Sequence, residues 1–146
     1  MTNYGLVTSG IRELTKVLIP FTIDQLQLQY QGSWWSTGVL GSFYEDQRQG
    51  LPAGGTREQL EKSLDLARCL YVINGQWNIV FRQKLSKEHK PWILELINTR
   101  NAWAHSGVGD MSESDAYRAL DTMARLAESI DGEAYENIRK FANLVR

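Results

Sequence analysis

TREQLEKSLDLARCLYVINGQWNIVFRQKL, residues 56–85, is the stretch whose pattern settles the class of fold. It opens on Thr56-Arg-Glu-Gln59, a capping box in which a hydroxyl and an amide satisfy the first backbone N–H groups of a helix. Behind it, Leu60, Leu64, Ala67, Tyr71 and Asn74 recur at helical spacing and mark one face. Leu66, Leu70, Ile73, Trp77 and Val80 mark a second. A helix apolar on two faces is sandwiched between neighbours, so 57–85 is expected as a long central helix. No alternating β-branched run competes with it anywhere in the chain. The expected class is all-α.

On the N-terminal side, Ile11, Leu14, Leu18, Ile23 and Leu26 give a first helix, which Pro20 is expected to kink or divide. Gly32, in Tyr30-Gln-Gly-Ser-Trp-Trp35, is expected to stop it. Residues 36–55 carry five glycines and one proline with no period, and are expected as a long mobile loop. On the C-terminal side, Pro91 suits the first turn of a helix running through Trp92, Ile93, Leu96 and Ile97 to Ala104. Ser106-Gly-Val-Gly109 should end it. Ser112-Glu-Ser-Asp115 opens the next, carried by Ala116, Leu120, Met123, Ala124, Ala127 and Ile130. Gly132 then breaks the run, and Ala134, Ile138, Phe141, Ala142 and Val145 give a last helix over 133–146, a point from which a longer protein could continue. The connections are short, so one domain over 1–146, an antiparallel helical bundle of about five helices, is the simplest arrangement.

Composition narrows the function. Apolar residues make up 42% of the 146 and charged residues 23%, which excludes a disordered chain. Sixteen basic against seventeen acidic side chains exclude an overall basic, duplex-coating protein. A single cysteine, Cys69, excludes a disulfide framework, and with only two histidines it excludes a Cys/His zinc cluster. No metal is expected. Gly50-Leu-Pro-Ala-Gly-Gly55 lacks the Lys-Ser/Thr ending of a phosphate-binding loop, and no cofactor is expected. The first residues lack the basic start and apolar run of a secretory signal, and no window nears the ~18 apolar residues of a membrane span. The expected setting is the cytoplasm.

Five tryptophans raise the question of base stacking. Trp77 and Trp92 lie in apolar stripes and read as core, as does one of Trp34 and Trp35. Trp103 reads as core or subunit seam, Cys69 as core, and His89, between Glu88 and Lys90, as solvated.

Charge is uneven. Between Asn74 and Arg100 there are five basic side chains against two acidic ones. Arg82, Lys84, Lys87 and Lys90 are therefore candidates for a phosphate-facing surface, or else form a solvated helix end and loop.

The stretch Asn98-Thr-Arg-Asn-Ala-Trp-Ala-His-Ser-Gly107 carries the candidate chemistry. Arg100 is seven residues from Ile93 and four from Leu96, which puts it in the apolar seam of its helix. An unpaired guanidinium there is costly, so it pairs with a carboxylate, faces a cleft or sits in a subunit interface. Asn101 and His105 share another face, with His105 in the last turn. Arg100 and His105 stand about 140° apart around an ideal helix, so convergence needs the reach of arginine, a loosened last turn or two copies meeting. A cation beside a group titrating near neutrality suits phosphate chemistry.

Arg100-Asn-Ala-Trp-Ala-His105 resembles the R-N-x-x-x-H form of the motif of HEPN domains. Leu18-Ile-Pro-Phe21, the Tyr30, Gly32, Trp34 and Trp35 corner, Asn78-x-x-Phe81 and Asp115-Ala-Tyr-Arg-Ala-Leu-Asp-Thr-Met123 extend the resemblance over about residues 8–132. They point to the subgroup of a eukaryotic nuclear mRNA-surveillance protein and of bacterial ATPase and helicase fusions; the 36–55 insertion departs from it. The resemblance implies a helical bundle that often dimerises, bringing two motifs into one cleft. It also implies metal-independent RNA cleavage, with His105 moving protons, Arg100 stabilising the phosphate and Asn101 orienting phosphate or histidine. The implied partners are RNA, a second copy of the chain, and an ATPase or helicase region of a longer protein. The family also holds domains that bind or dimerise without cleaving. A catalytically silent interaction module is therefore the alternative.

Overall fold

The computed structural model describes residues 1–107 and 109–146. Val108, one of the residues expected to end the fourth helix, lies outside them. Helix α1 spans Asn3–Tyr30, α2 Arg57–Glu61, α3 Leu66–Gly75, α4 His89–Ala104, α5 Glu113–Glu128 and α6 Gly132–Asn143. Among the described residues there is no strand. The molecule is an all-α helical bundle.

Helix α1 begins where the Thr2 hydroxyl accepts the Gly5 N–H at 2.9 Å. It runs without a break through Pro20, against the expectation that proline would divide it. Leu14 and Leu18 before the proline and Ile23 and Leu26 after it are all fully buried, so both halves are held to one core. That burial outweighs one missing backbone bond. The helix ends at Gln31, not Gly32: Gln31 adopts a left-handed φ of 51° and returns its N–H to the Gln27 carbonyl.

The expected mobile loop over 36–55 is corrected in its first half. Residues 31–33 and 40–42 form 3₁₀ turns around a π-helical turn at Trp34–Val39, and Glu45–Gln47 forms another 3₁₀ turn. Trp34, Trp35, Val39 and Phe43 enter the core, so the glycines here mark tight helical turns. The buried Gln76 holds the segment in place. Its amide N–H groups reach the Gly38 carbonyl and Ser42 hydroxyl, each at 3.2 Å, and its carbonyl accepts the Tyr30 hydroxyl at 2.6 Å. The Trp35 indole N–H donates to the Pro52 carbonyl at 2.8 Å.

The single helix expected over 57–85 is two helices and a turn. The Thr56 capping box forms as read, with both reciprocal bonds present. Asp65 then accepts the Arg68 N–H at 2.8 Å and starts α3 afresh. Beyond Gly75 the chain leaves the helix, and the stretch to Lys84 holds only a 3₁₀ turn at Phe81–Gln83. Leu66, Cys69, Leu70, Val72 and Ile73 are the buried side of α3, while Tyr71 is exposed. Among the described residues the bundle has six α-helices, against the expected number of about five.

Helices α5 and α6, joined by three residues, fold back on one another and against α1, and α4 lies between α3 and α5. Gly10 allows the close approach of α1 to α5, since a Cβ there would run into a Leu120 methyl carbon. No helix among the described residues is long and apolar enough to cross a membrane.

Candidate functional site

Helix α4 carries the site, and its own pattern decides where each side chain goes. Ile93 and Leu96 are buried against the core. Arg100 continues that stripe past the end of the core and emerges beside the start of α3. Its Nη2 lies 3.9 Å from Asp65 Oδ2, the carboxylate that also caps α3. Of the three settings open to Arg100, the structure gives it a carboxylate partner. The guanidinium is part exposed, at 28%.

Asn101 and His105 are both exposed. His105 ends the helix, its backbone N–H on the Asn101 carbonyl at 3.1 Å. Among the described residues, neither side chain has a hydrogen-bond partner. Within one chain the three residues are therefore not brought together: Arg100 faces α3, while Asn101 and His105 face outward. The exposed positions of α4 are Pro91, Leu94, Asn98, Asn101, Ala102 and Ala104, and none is charged.

Trp103, inside the motif, is half-buried and fixed. Its indole N–H donates to the Thr8 hydroxyl at 2.9 Å, and its ring stacks on Tyr4 with centroids 6.0 Å apart. After α4 the chain is tied to the beginning of α1 by Asp110. One carboxylate oxygen accepts the N–H groups of Tyr4 at 2.7 Å and Met111 at 2.8 Å, and the other accepts that of Asn3 at 2.9 Å. These bonds hold the Asp110 carboxyl below the usual carboxylate range, those from Tyr4 and Asn3 most strongly. The buried Asn3 side chain adds bonds to the Met111 and Arg146 carbonyls. Start, motif and end of the chain meet here.

The basic candidates lie elsewhere. Arg82, Lys84 and Lys87 are exposed and Lys90 is half-buried; Lys87 and Lys90 stand at the N-terminal end of α4. His105 sits past its other end, about 24 Å away for a helix of 16 residues. Lys84 lines a groove with Gln25, Leu28, Gln29, Val80 and Gln83.

His89 is not solvated as the sequence suggested. It is 8% exposed, with Nε2 2.7 Å from the Ser129 hydroxyl and Nδ1 2.8 Å from that of Ser86. The Ser86 backbone N–H and carbonyl also lie 3.2 and 3.3 Å from Nδ1, so Ser86 holds the ring on one side and Ser129 on the other. The ring joins the start of α4 to the end of α5. Trp34, Trp35 and Trp77 are all buried, whereas Trp92 is only half-buried, edge-on to His89. No group of three or more His, Cys, Asp or Glu side chains among the described residues is placed to hold a metal ion.

Tyr4, Asp65 and Asp110 are the residues around the motif that sequence reading missed. Asp65 carried a usable signal, a helix-capping aspartate before Leu66. Asp110 carried none, because its partners lie more than a hundred residues away.

A family model described as Swt1-like HEPN matches residues 10–131. No curated protein and no solved structure matches the chain.

Proposed function

Because the chain belongs to the Swt1-like HEPN family, we propose that it is a metal-independent endoribonuclease domain acting as a homodimer, in defence or RNA surveillance. The observation that carries this reading is the exposed side of α4, which presents Asn101 and His105 with no hydrogen-bond partner for either side chain among the described residues. In a two-fold dimer each patch meets itself, and here the uncharged exposed positions of α4 are flanked by charges of both signs, Glu95, Asp115 and Arg118. Two such helices face to face would set the two His105 side chains at one seam, and the Arg100 of either chain would join the partner's His105 by leaving Asp65 and swinging from α3 toward that seam.

His105 takes the proton of the ribose 2′-OH or returns one to the leaving 5′-oxygen. Arg100 offsets the charge that develops on the scissile phosphate, and Asn101 orients the phosphate or the imidazole. The 2′-oxygen attacks phosphorus as the 5′-oxygen leaves, giving a 2′,3′-cyclic phosphate end. DNA lacks the nucleophile and is not cut. Arg82, Lys84, Lys87 and Lys90 hold the body of the RNA, the last two at the far end of α4. An ATPase or helicase region of a longer protein is a fitting partner, and the cytoplasm the expected setting.

One observation favours a second reading, a catalytically silent helical interaction module: Asp65 gives Arg100 a structural reason to exist. RNA cleavage in EDTA separates the two. Wild type should cut single-stranded or structured RNA, leave cyclic phosphate ends and lose activity on His105→Ala. Equal behaviour of the two proteins would favour the silent module.

A further inference from the structure

We propose that the groove beside His105, between the start of α1 and the segment that follows α4, seats one unpaired RNA base next to the scissile phosphate. This rests on the ribonuclease reading above and adds a substrate contact to it. The groove has a volume of about 380 Å³ and is lined by Thr2, Tyr4, Ser106, Gly107, Gly109 and Asp110. Ser106, at one edge of the groove, follows His105 directly, so the groove begins one residue beyond the motif.

The lining chooses a base over a phosphate. No lysine or arginine contributes to it, and the α1 N-terminus that could attract an anion is already filled by the Asp110 carboxylate. What the groove does offer is a half-exposed aromatic ring held in place. Tyr4 is stacked on Trp103 with an interplanar angle of 12°, and Trp103 is in turn fixed by the Thr8 hydroxyl. A ring ordered beforehand stacks a base at little further entropic cost.

Asp110 gives the seat a preference. One of its oxygens accepts two backbone N–H groups and the other accepts one, which leaves an acceptor position on the second. Cytosine, adenine and guanine can donate an amino N–H there. Uracil has no amino group and can donate only its ring N–H, whose two flanking carbonyl oxygens are repelled by the carboxylate, so it binds less well. The seat therefore takes an amino-bearing base, through stacking on Tyr4 and a hydrogen bond to Asp110.

The test uses the intact protein and an RNA carrying a 2′-deoxy residue at the mapped cleavage position, which blocks attack. An abasic residue is walked through the positions on either side, and binding is read by fluorescence anisotropy at fixed salt. In wild type, one position adjacent to the scissile phosphate should lose about tenfold in affinity when abasic, and the others little. Uracil at that position should bind more weakly than cytosine. Tyr4→Leu, checked for folding by its melting temperature, should weaken the intact RNA similarly and erase the abasic penalty. A flat walk with wild-type protein that still cleaves RNA would overturn the base seat and leave the ribonuclease reading standing. Wild type that neither binds nor cleaves would overturn both. The walk itself needs no variant, so a poorly folded Tyr4→Leu protein still leaves the proposal decided.

Discussion

Asp65 holds Arg100 across 3.9 Å from the position at which it also caps α3, so one carboxylate starts a helix and steadies the cation of the motif. The two side chains are 28% and 54% exposed. A pair that long and that wet contributes under about 1 kcal/mol. Arg100→Ala should therefore lower the melting temperature by no more than about 2–4 °C. RNA cleavage by the same variant should be lost. A drop several times larger, with unchanged behaviour toward RNA, would make Arg100 a structural residue only.

The Asp110 clasp should be visible in acid. Its carboxyl is depressed in the folded protein by the N–H groups of Tyr4 and Asn3, with Met111 adding to them. A depressed carboxyl stabilises the fold fully above its unfolded value, near 3.9, and loses that contribution as pH falls through the folded value. Asp110→Asn should melt below wild type at pH 7, with the gap narrowing as pH drops under about 4. A gap of constant size from pH 7 to pH 3 would contradict the assignment.

Gln76 fastens the Trp34–Val39 turn to α3 by filling buried donors and acceptors. Gln76→Leu leaves the Tyr30 hydroxyl and Gly38 carbonyl without that partner, at a cost of about 1–3 kcal/mol. Urea titration should show a lower midpoint at nearly unchanged slope. An unaltered midpoint would mean that the network is replaced by water without loss.

Cys69 is fully buried in α3, and burial pushes its thiol up to about 12. The native protein at pH 8 should resist a thiol reagent that modifies it promptly in guanidinium. Rapid modification of the folded chain would show that α3 opens readily.

Legibility followed the range of the interaction. The capping box at Thr56 and the Ser112 cap are local, and each is where the sequence put it, whereas Gly132, read as a break, is the first residue of α6. The motif helix was legible too, because Ile93, Leu96 and Arg100 share one stripe. What escaped depends on distant partners. Pro20 is tolerated because both flanks of α1 are buried, which no local rule reports. Trp34–Val39 reads as a loop until Gln76 and the core are there to hold it. His89 looks solvated beside Glu88 and Lys90, and only the arrival of Ser129 makes it a buried link. In the site, the outward position of His105 follows from helical spacing, whereas the Asp65 and Asp110 contacts exist only once the chain has folded.

The most direct measurement for the central claim mixes two inactive proteins. Arg100→Ala and His105→Ala chains are unfolded together, refolded at equal amounts and assayed for RNA cleavage in EDTA. If each site takes Arg100 from one protomer and His105 from the other, half of the dimers are mixed and each regains one intact site. The mixture should then recover about a quarter of wild-type activity. A mixture as inactive as its two components, from chains shown to form mixed dimers, would contradict a site shared between two copies.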